Sequence, residues 1–312
     1  SDLPLAFLGE LRESVDHLND QTLRGKKPMR FVTFQDGGAE KIGVRQGDSI
    51  IDVSAAAAAF GGDMIGVIKG GDAAKAALAK AAEGGAGKPM ADVKLLPPIP
   101  NPGKILCIGR NYAAHAAEGG AAPPTYPEVF VRFPSSLVAH GEPLVVPNAS
   151  DKFDFEGELV LVVGKTGRHV SEADALSMVY GWSLFNDGSV RDYQRKASQW
   201  TMGKNYDGTG GFGPDIVTAD EVSPGAMELQ LKTTVSGDVM QNANTRDLLF
   251  PVAKMIYHLT EVMTLHAGDI IATGTPEGVG YARKPPRFLV AGDTVDVEVE
   301  QVGVLTNPVV HE

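Results

Sequence analysis

Hydrophobic positions along the chain fall into three successive patterns. Leu8, Leu11, Val15 and Leu18 follow a 3-4-3 spacing, one apolar stripe of a helix that ends near Gly25, before Lys26-Lys27-Pro28. From Met29 the pattern shortens to strand-like runs. These are Arg30–Phe34, Lys41–Val44 and Ser49–Val53, separated by turns at Asp36-Gly37-Gly38 and Gln46-Gly47-Asp48. Residues 55–83 are alanine-rich and helical in propensity, with breaks at Gly61-Gly62 and Gly70-Gly71. The run Leu96-Pro97-Pro98-Ile99-Pro100-Asn101-Pro102 can be neither helix nor central strand, because proline lacks the donor both require. It marks a boundary. The expected organisation is an N-terminal helical extension over 1–28, a small α+β domain over 29–98 and a larger domain over 103–312.

Strands dominate the third region. Lys104–Ile108, Glu158–Val163 and Ile270–Thr273 read as buried strands. Thr294–Glu300 alternates residue by residue, which makes its acids the solvated face of a half-buried strand. Helices are expected over roughly 171–179, 189–198 and 247–263. The fold class is α+β and rich in β structure.

Composition narrows the function classes. The 312 residues include 28 Lys+Arg against 39 Asp+Glu, a net charge of −11, with no basic block. Such a chain is a poor partner for nucleic acid or an anionic membrane. A single cysteine, Cys107, excludes an intrachain disulfide, a cysteine-based zinc site and a CxxC redox pair. No apolar run approaches the roughly 20 residues that span a bilayer. The first residues lack the basic and apolar regions of a signal peptide, so a cytoplasmic protein is expected.

Several familiar motifs fail on context. Gly208-Thr209-Gly210-Gly211-Phe212-Gly213 satisfies GxGxxG, but Pro214 and a short apolar run follow it where a dinucleotide site needs a helix. No GxSxG, HExxH or Walker A sequence occurs. His17, His140, His169, His258, His266 and His311 have no partner at ligand spacing.

The informative segment is Phe153-Asp154-Phe155-Glu156-Gly157-Glu158 leading into Leu159–Val163. On a strand, Asp154, Glu156 and Glu158 share one face. Crowded acids at the mouth of an apolar strand repel one another, and a divalent cation would relieve that cost; an exposed acidic strand face is the plain alternative. A second segment, Leu184-Phe185-Asn186-Asp187-Gly188-Ser189-Val190-Arg191-Asp192-Tyr193-Gln194, places Asp187 at the end of an apolar run, where it suits a third oxygen ligand. A set of carboxylates favours a hard cation: Mg2+ first, then Mn2+ or Ca2+.

These two segments resemble the fumarylacetoacetate hydrolase family. So do Ile108-Gly109-Arg110-Asn111-Tyr112-Ala113-Ala114-His115, Met202-Gly203-Lys204-Asn205 and the run from Asp269 through Thr273-Gly274-Thr275-Pro276 to Gly280. The resemblance covers about 104–312 and, more loosely, 29–100. It implies a mixed β-sheet roll, usually dimeric, with Glu156, Glu158 and Asp187 as metal ligands. It further implies that His115 and Glu118 form a water-activating dyad on a closing lid and that Lys204 holds a developing oxyanion. Arg110, Gln194 and Thr275 would contact substrate carboxylate or keto oxygens. Asp154 is expected beside the metal site rather than on it. Substrate-tail contacts are expected from 116–132 and 205–213. The leading expectation is metal-dependent hydrolysis of a C–C bond in an acylpyruvate or related 1,3-diketo acid. The alternative is decarboxylation or isomerisation of an oxaloacetate-like or 2-hydroxymuconate-type acid through the same enolate chemistry. The apolar stripe in 1–28 and the family's habit point to a homodimer.

Overall fold

The computed structural model describes residues 29–312; the expected helix over 1–28 lies outside the described residues. The architecture is α+β and strand-rich, as expected. Ten strands run across a twelve-stranded sheet in the order Lys88–Pro89, Ser49–Asp52, Ala39–Gln46, Arg30–Asp36, Gly210–Thr218, Val179–Asp187, Gly157–Val163, Ile270–Ala272, Ile105–Gly109 and Glu128–Arg132. The sheet is mixed: Ile270–Ala272 runs parallel to Ile105–Gly109, while Gly157–Val163 is antiparallel to both its neighbours. A second sheet of five strands orders Asp238–Asn244, Gln230–Val235, Thr294–Val299, Gly303–His311 and Leu144–Val146.

Beyond Glu158, Leu159–Val163 is apolar throughout because both of its faces are covered. Leu159, Leu161 and Val163 join Trp182, Leu231, Val295 and Val297 in the core between the two sheets. Val160 and Val162 point the other way, into a core with Ile105, Ile216 and the helix Met64–Ala82. In Thr294–Val299, by contrast, Val295, Val297 and Val299 are buried and the intervening residues are not, as the alternation predicts.

The N-terminal strands continue the same sheet, since Arg30 and Phe31 pair with Val217 and Ile216. Asp215, buried on Gly210–Thr218, adds ion pairs to Arg30 (3.2 Å) and Arg45 (2.9 Å) across this joint.

Helices are shorter than the sequence pattern predicts. The region 171–179 holds only a 3₁₀ turn, Ala175–Met178. Residues 189–198 yield one turn, Arg191–Gln194, and a further turn follows at Thr201–Lys204. Val252–Val262 is helical within the expected 247–263. Met64–Ala82 runs through Gly70-Gly71 with a kink at Gly71, whose φ is 54°. In the first two regions only Ala175, Met178 and Arg191 are buried within the turns, too little apolar surface to hold a longer helix. No helix among the described residues is long and apolar enough to cross a membrane.

Candidate active site and metal centre

The site forms where two central strands begin and end together. Gly157 pairs with Asn186 and Glu158 with Phe185, so the start of Gly157–Val163 lies beside the end of Val179–Asp187. Two further bonds lock this corner. The Asp187 N–H donates to the Glu156 carbonyl (2.8 Å), and the Glu156 N–H donates to the Asn186 side-chain oxygen (2.9 Å). Gly157 is required here by contact: a Cβ on it would lie 2.0 Å from Thr233 Oγ1. The result places one carboxylate oxygen from each of Glu156, Glu158 and Asp187 within 4.8 Å of the others, all buried.

Cations answer these acids unevenly. Lys204 Nζ lies 2.7 Å from Glu156 Oε2 and 2.6 Å from Asp187 Oδ2. Arg191 pairs with Asp154 (2.8 Å) and Glu156 (2.7 Å), and Arg132 with Asp187 (2.6 Å). Burial works to raise the Glu156 carboxyl, but Arg191, Lys204 and His115 together hold it well below the usual range. Burial likewise opposes the charge on Lys204, yet Asp187 and Glu156 outweigh it and keep the ammonium protonated. Glu158 differs. Among the described residues no cation lies within ion-pair distance of it, and one of its oxygens accepts the Gly274 N–H (2.8 Å). Burial, then Asp187 and Glu156, push its carboxyl well above the ordinary value. A buried acid facing two others without a cation of its own is what a divalent ion would complete. The donor set is carboxylate oxygen throughout, which fits a hard cation.

The remaining expected site residues surround the same cavity of ≈ 180 Å³. After the strand Ile105–Gly109, Arg110 takes a left-handed φ of 53° and turns the chain into the helix Ala113–Glu118. That helix carries His115, whose Nδ1 lies 2.9 Å from Glu118 Oε1. The other Glu118 oxygen accepts the Gly278 N–H (2.9 Å), which fixes the carboxylate. Asn111 ties the turn down by donating to the Phe250 and Thr273 carbonyls and accepting the Phe250 N–H. Thr275 donates to the Gly157 carbonyl (3.0 Å) and accepts from Gln241 (2.7 Å). Gln194 lines the cavity and accepts from Arg191 (3.1 Å). Arg110 also lines it, but its guanidinium is held by Glu128.

All nine expected site residues therefore border one cavity or, for Glu118, orient a side chain that does. Of the expected tail segments, Gly119, Ala121 and Phe130 line the cavity, whereas Gly210–Gly213 belong to the central strand. The GxGxxG sequence thus enters a strand and has no helix behind it. Sequence reasoning missed Arg132, Trp200 and Tyr281. Arg132 carried no local signal, since its partner Asp187 lies 55 positions away. Asp154 was expected beside the metal site. It accepts from the Gly280 (2.7 Å) and Tyr281 (3.0 Å) N–H groups and pairs with Arg191.

Fold and cavity together define an enzyme of the strand-rich α+β kind, built around buried carboxylates. The family model described as fumarylacetoacetate (FAA) hydrolase C-terminal matches residues 104–310, and this chain belongs to that family. It is 38% identical over 289 residues to a mitochondrial oxaloacetate tautomerase of Xenopus laevis, covering 90% of each chain. It is similar at 36% identity and a TM-score of 0.77 to maleylpyruvate hydrolase from Sphingobium sp. SYK-6 in complex with manganese(II) and pyruvate, covering 91% of this chain and 99% of that one. It is also similar to 5-carboxymethyl-2-hydroxymuconate delta-isomerase from Mycobacterium smegmatis, at 32% identity and a TM-score of 0.71, covering 91% and 100%.

Proposed function

We propose that this chain catalyses keto–enol tautomerisation of a short 2-oxo dicarboxylic acid of the oxaloacetate type. A divalent cation, Mg2+ or Mn2+, would be held by Glu156, Glu158 and Asp187. The observation that carries the reading is the convergence of His115, Lys204 and the carboxylate triad on one cavity. The names of the relatives favour isomerisation over the hydrolysis that the sequence analysis put first. The cavity also lies below the roughly 300–1,000 Å³ usual for ligand pockets, which suits a compact acid.

The reaction breaks no carbon–carbon bond and needs no co-reactant. One proton leaves the carbon beside the carbonyl and one arrives at the carbonyl oxygen. Glu118 accepts from the His115 Nδ1–H, which leaves Nε2 as the base that takes the carbon proton and delivers it to the carbonyl oxygen. Lys204 opposes negative charge that develops beside Glu156 and Asp187. Gln194 offers its amide N–H to the substrate's oxygens and Arg110 does so while braced by Glu128, while Thr275, whose hydroxyl proton goes to the Gly157 carbonyl, shapes the wall beside them. Phe130 and Trp200, edge to face at 5.4 Å, limit the water that reaches the reacting carbon. When bound, the cation supplies Lewis-acid polarisation of the 2-oxo acid head and stabilises enolate charge.

A second reading keeps hydrolysis, because a neighbour of 36% identity is a maleylpyruvate hydrolase. There the same His115–Glu118 pair would activate water. The test follows the ultraviolet absorbance of enol-oxaloacetate with Mg2+ or Mn2+ present. Decay well above the buffer rate, abolished by chelation, is expected. No acceleration, together with cleavage of an acylpyruvate, would return the hydrolase reading to first place.

A further inference from the structure

Among the described residues four lysine or arginine side chains line the cavity, and three are already answered by acids. Lys204 meets Glu156 and Asp187, Arg191 meets Asp154 and Glu156, and Arg110 meets Glu128. The fourth is Arg195. Among the described residues no carboxylate lies within ion-pair distance of it. Its guanidinium instead lies 4.4 Å from the centroid of the Tyr281 ring, and that of Arg191 lies 4.5 Å from the same centroid. Tyr281 is anchored through its N–H to Asp154.

Arg191 and Arg195 are four residues apart across one helical turn, so their side chains leave the same face. Arg191 is buried and Arg195 exposed, so positive charge extends from the closed end of the cavity to its open end. A ring face holds a guanidinium in place without neutralising it. That leaves the fork of Arg195 free for a planar anion in a partly desolvated mouth.

We propose that Arg195, seated on Tyr281, receives the distal carboxylate of the substrate and sets a preference for dicarboxylic over monocarboxylic oxo acids. The inference deepens the reading above, which places the oxo-acid head at Glu156, Glu158 and Asp187. A short dicarboxylic acid held there presents its second carboxylate toward the open end. A monocarboxylic acid leaves Arg195 in water.

The test uses Mn2+-loaded protein and two stable probes that differ only at the far end, malate and 2-hydroxybutanoate, titrated by calorimetry. The wild type should bind malate about tenfold or more tightly, the usual worth of a charge-assisted pair. R195Q should bring the affinity ratio toward one, and R195K should keep part of it, having the charge without the fork. Equal affinities in the wild type, or a ratio preserved in R195Q, would overturn the proposal. A malate preference that depends on Arg195 in a protein without tautomerase activity would overturn the reaction and leave the recognition standing. Tautomerase activity with an unchanged ratio would overturn Arg195 alone.

Discussion

Glu158 and His115 carry separate burdens in the cavity, and single substitutions distinguish them. Glu158 adds a third negative group to two that Lys204, Arg191 and Arg132 already address. Glu158→Gln removes from the metal-free protein the cost of burying an acid beside two others, and from the metal-bound one a ligand. The metal-free variant should melt above the metal-free wild type, and added Mn2+ should no longer raise its melting temperature. A normal Mn2+ response would show that the triad is not the metal site. His115 lies on the helix Ala113–Glu118, away from the strands that bear the triad. His115→Ala should leave the Mn2+ response intact and slow tautomerisation by about 100- to 10,000-fold, the range for loss of a general base. Full activity in this variant would remove His115 from the mechanism.

At the level of elements, two polar contacts join parts of the chain far apart in sequence. Asp215 draws Arg30 and Arg45 of the first two strands onto the central strand Gly210–Thr218. Both arginines reach solvent, so Asp215→Ala should cost about 1.5–3 kcal/mol, short of a fully buried pair. Urea unfolding measures this. The second contact is His140, whose Nδ1 accepts the Thr306 N–H (3.1 Å) and so must be neutral. Burial first, then Arg45, lower its pKa from 6.5, with Asp296 opposing. The unfolded chain therefore takes up this proton at higher pH than the folded one. Stability from this group is complete above the unfolded value and is lost as pH falls from about 6.5 through the lower folded value. Melting temperatures between pH 7.5 and 5.5 should fall less in His140→Asn than in the wild type. Parallel curves would assign the acid sensitivity elsewhere.

For the molecule as a whole, the metal centre links binding to global stability, because its ligands flank the paired strands Gly157–Val163 and Val179–Asp187 in the middle of the sheet. An ion at a hundredfold its Kd adds about 2.7 kcal/mol, roughly 4 °C for a chain of this size. Exhaustive chelation should lower the single melting transition by that order. The expected homodimer also belongs at this scale. Glu128–Arg132 ends the sheet, and Val129, Val131 and Phe133 are 41%, 39% and 50% exposed along it. An apolar sheet edge of this kind favours a second copy. Light scattering at micromolar concentration should show a dimer, and Val131→Lys should shift it toward monomer. A monomeric wild type would contradict the expectation.

Local pattern was enough for a good part of this protein. The buried run at Glu158–Val163, the alternation at Thr294–Val299, the α+β class and the family follow from side-chain periodicity and short motifs, which are properties of neighbours in the chain. Glu156, Glu158 and Asp187 were legible because each sits in such a motif. The expected helices over 171–179 and 189–198 shrank to single turns, because local propensity is a weak signal and short segments with little buried surface do not sustain a helix. Which cations answer which acids was not legible. Arg132 reaches Asp187 only after the sheet brings the edge strand across, and among the described residues no acid folds within ion-pair distance of Arg195. Charge balance in a buried site depends on distances of a few ångströms between residues tens of positions apart. Those distances exist only once the strands have taken their order, so tertiary structure alone decided them.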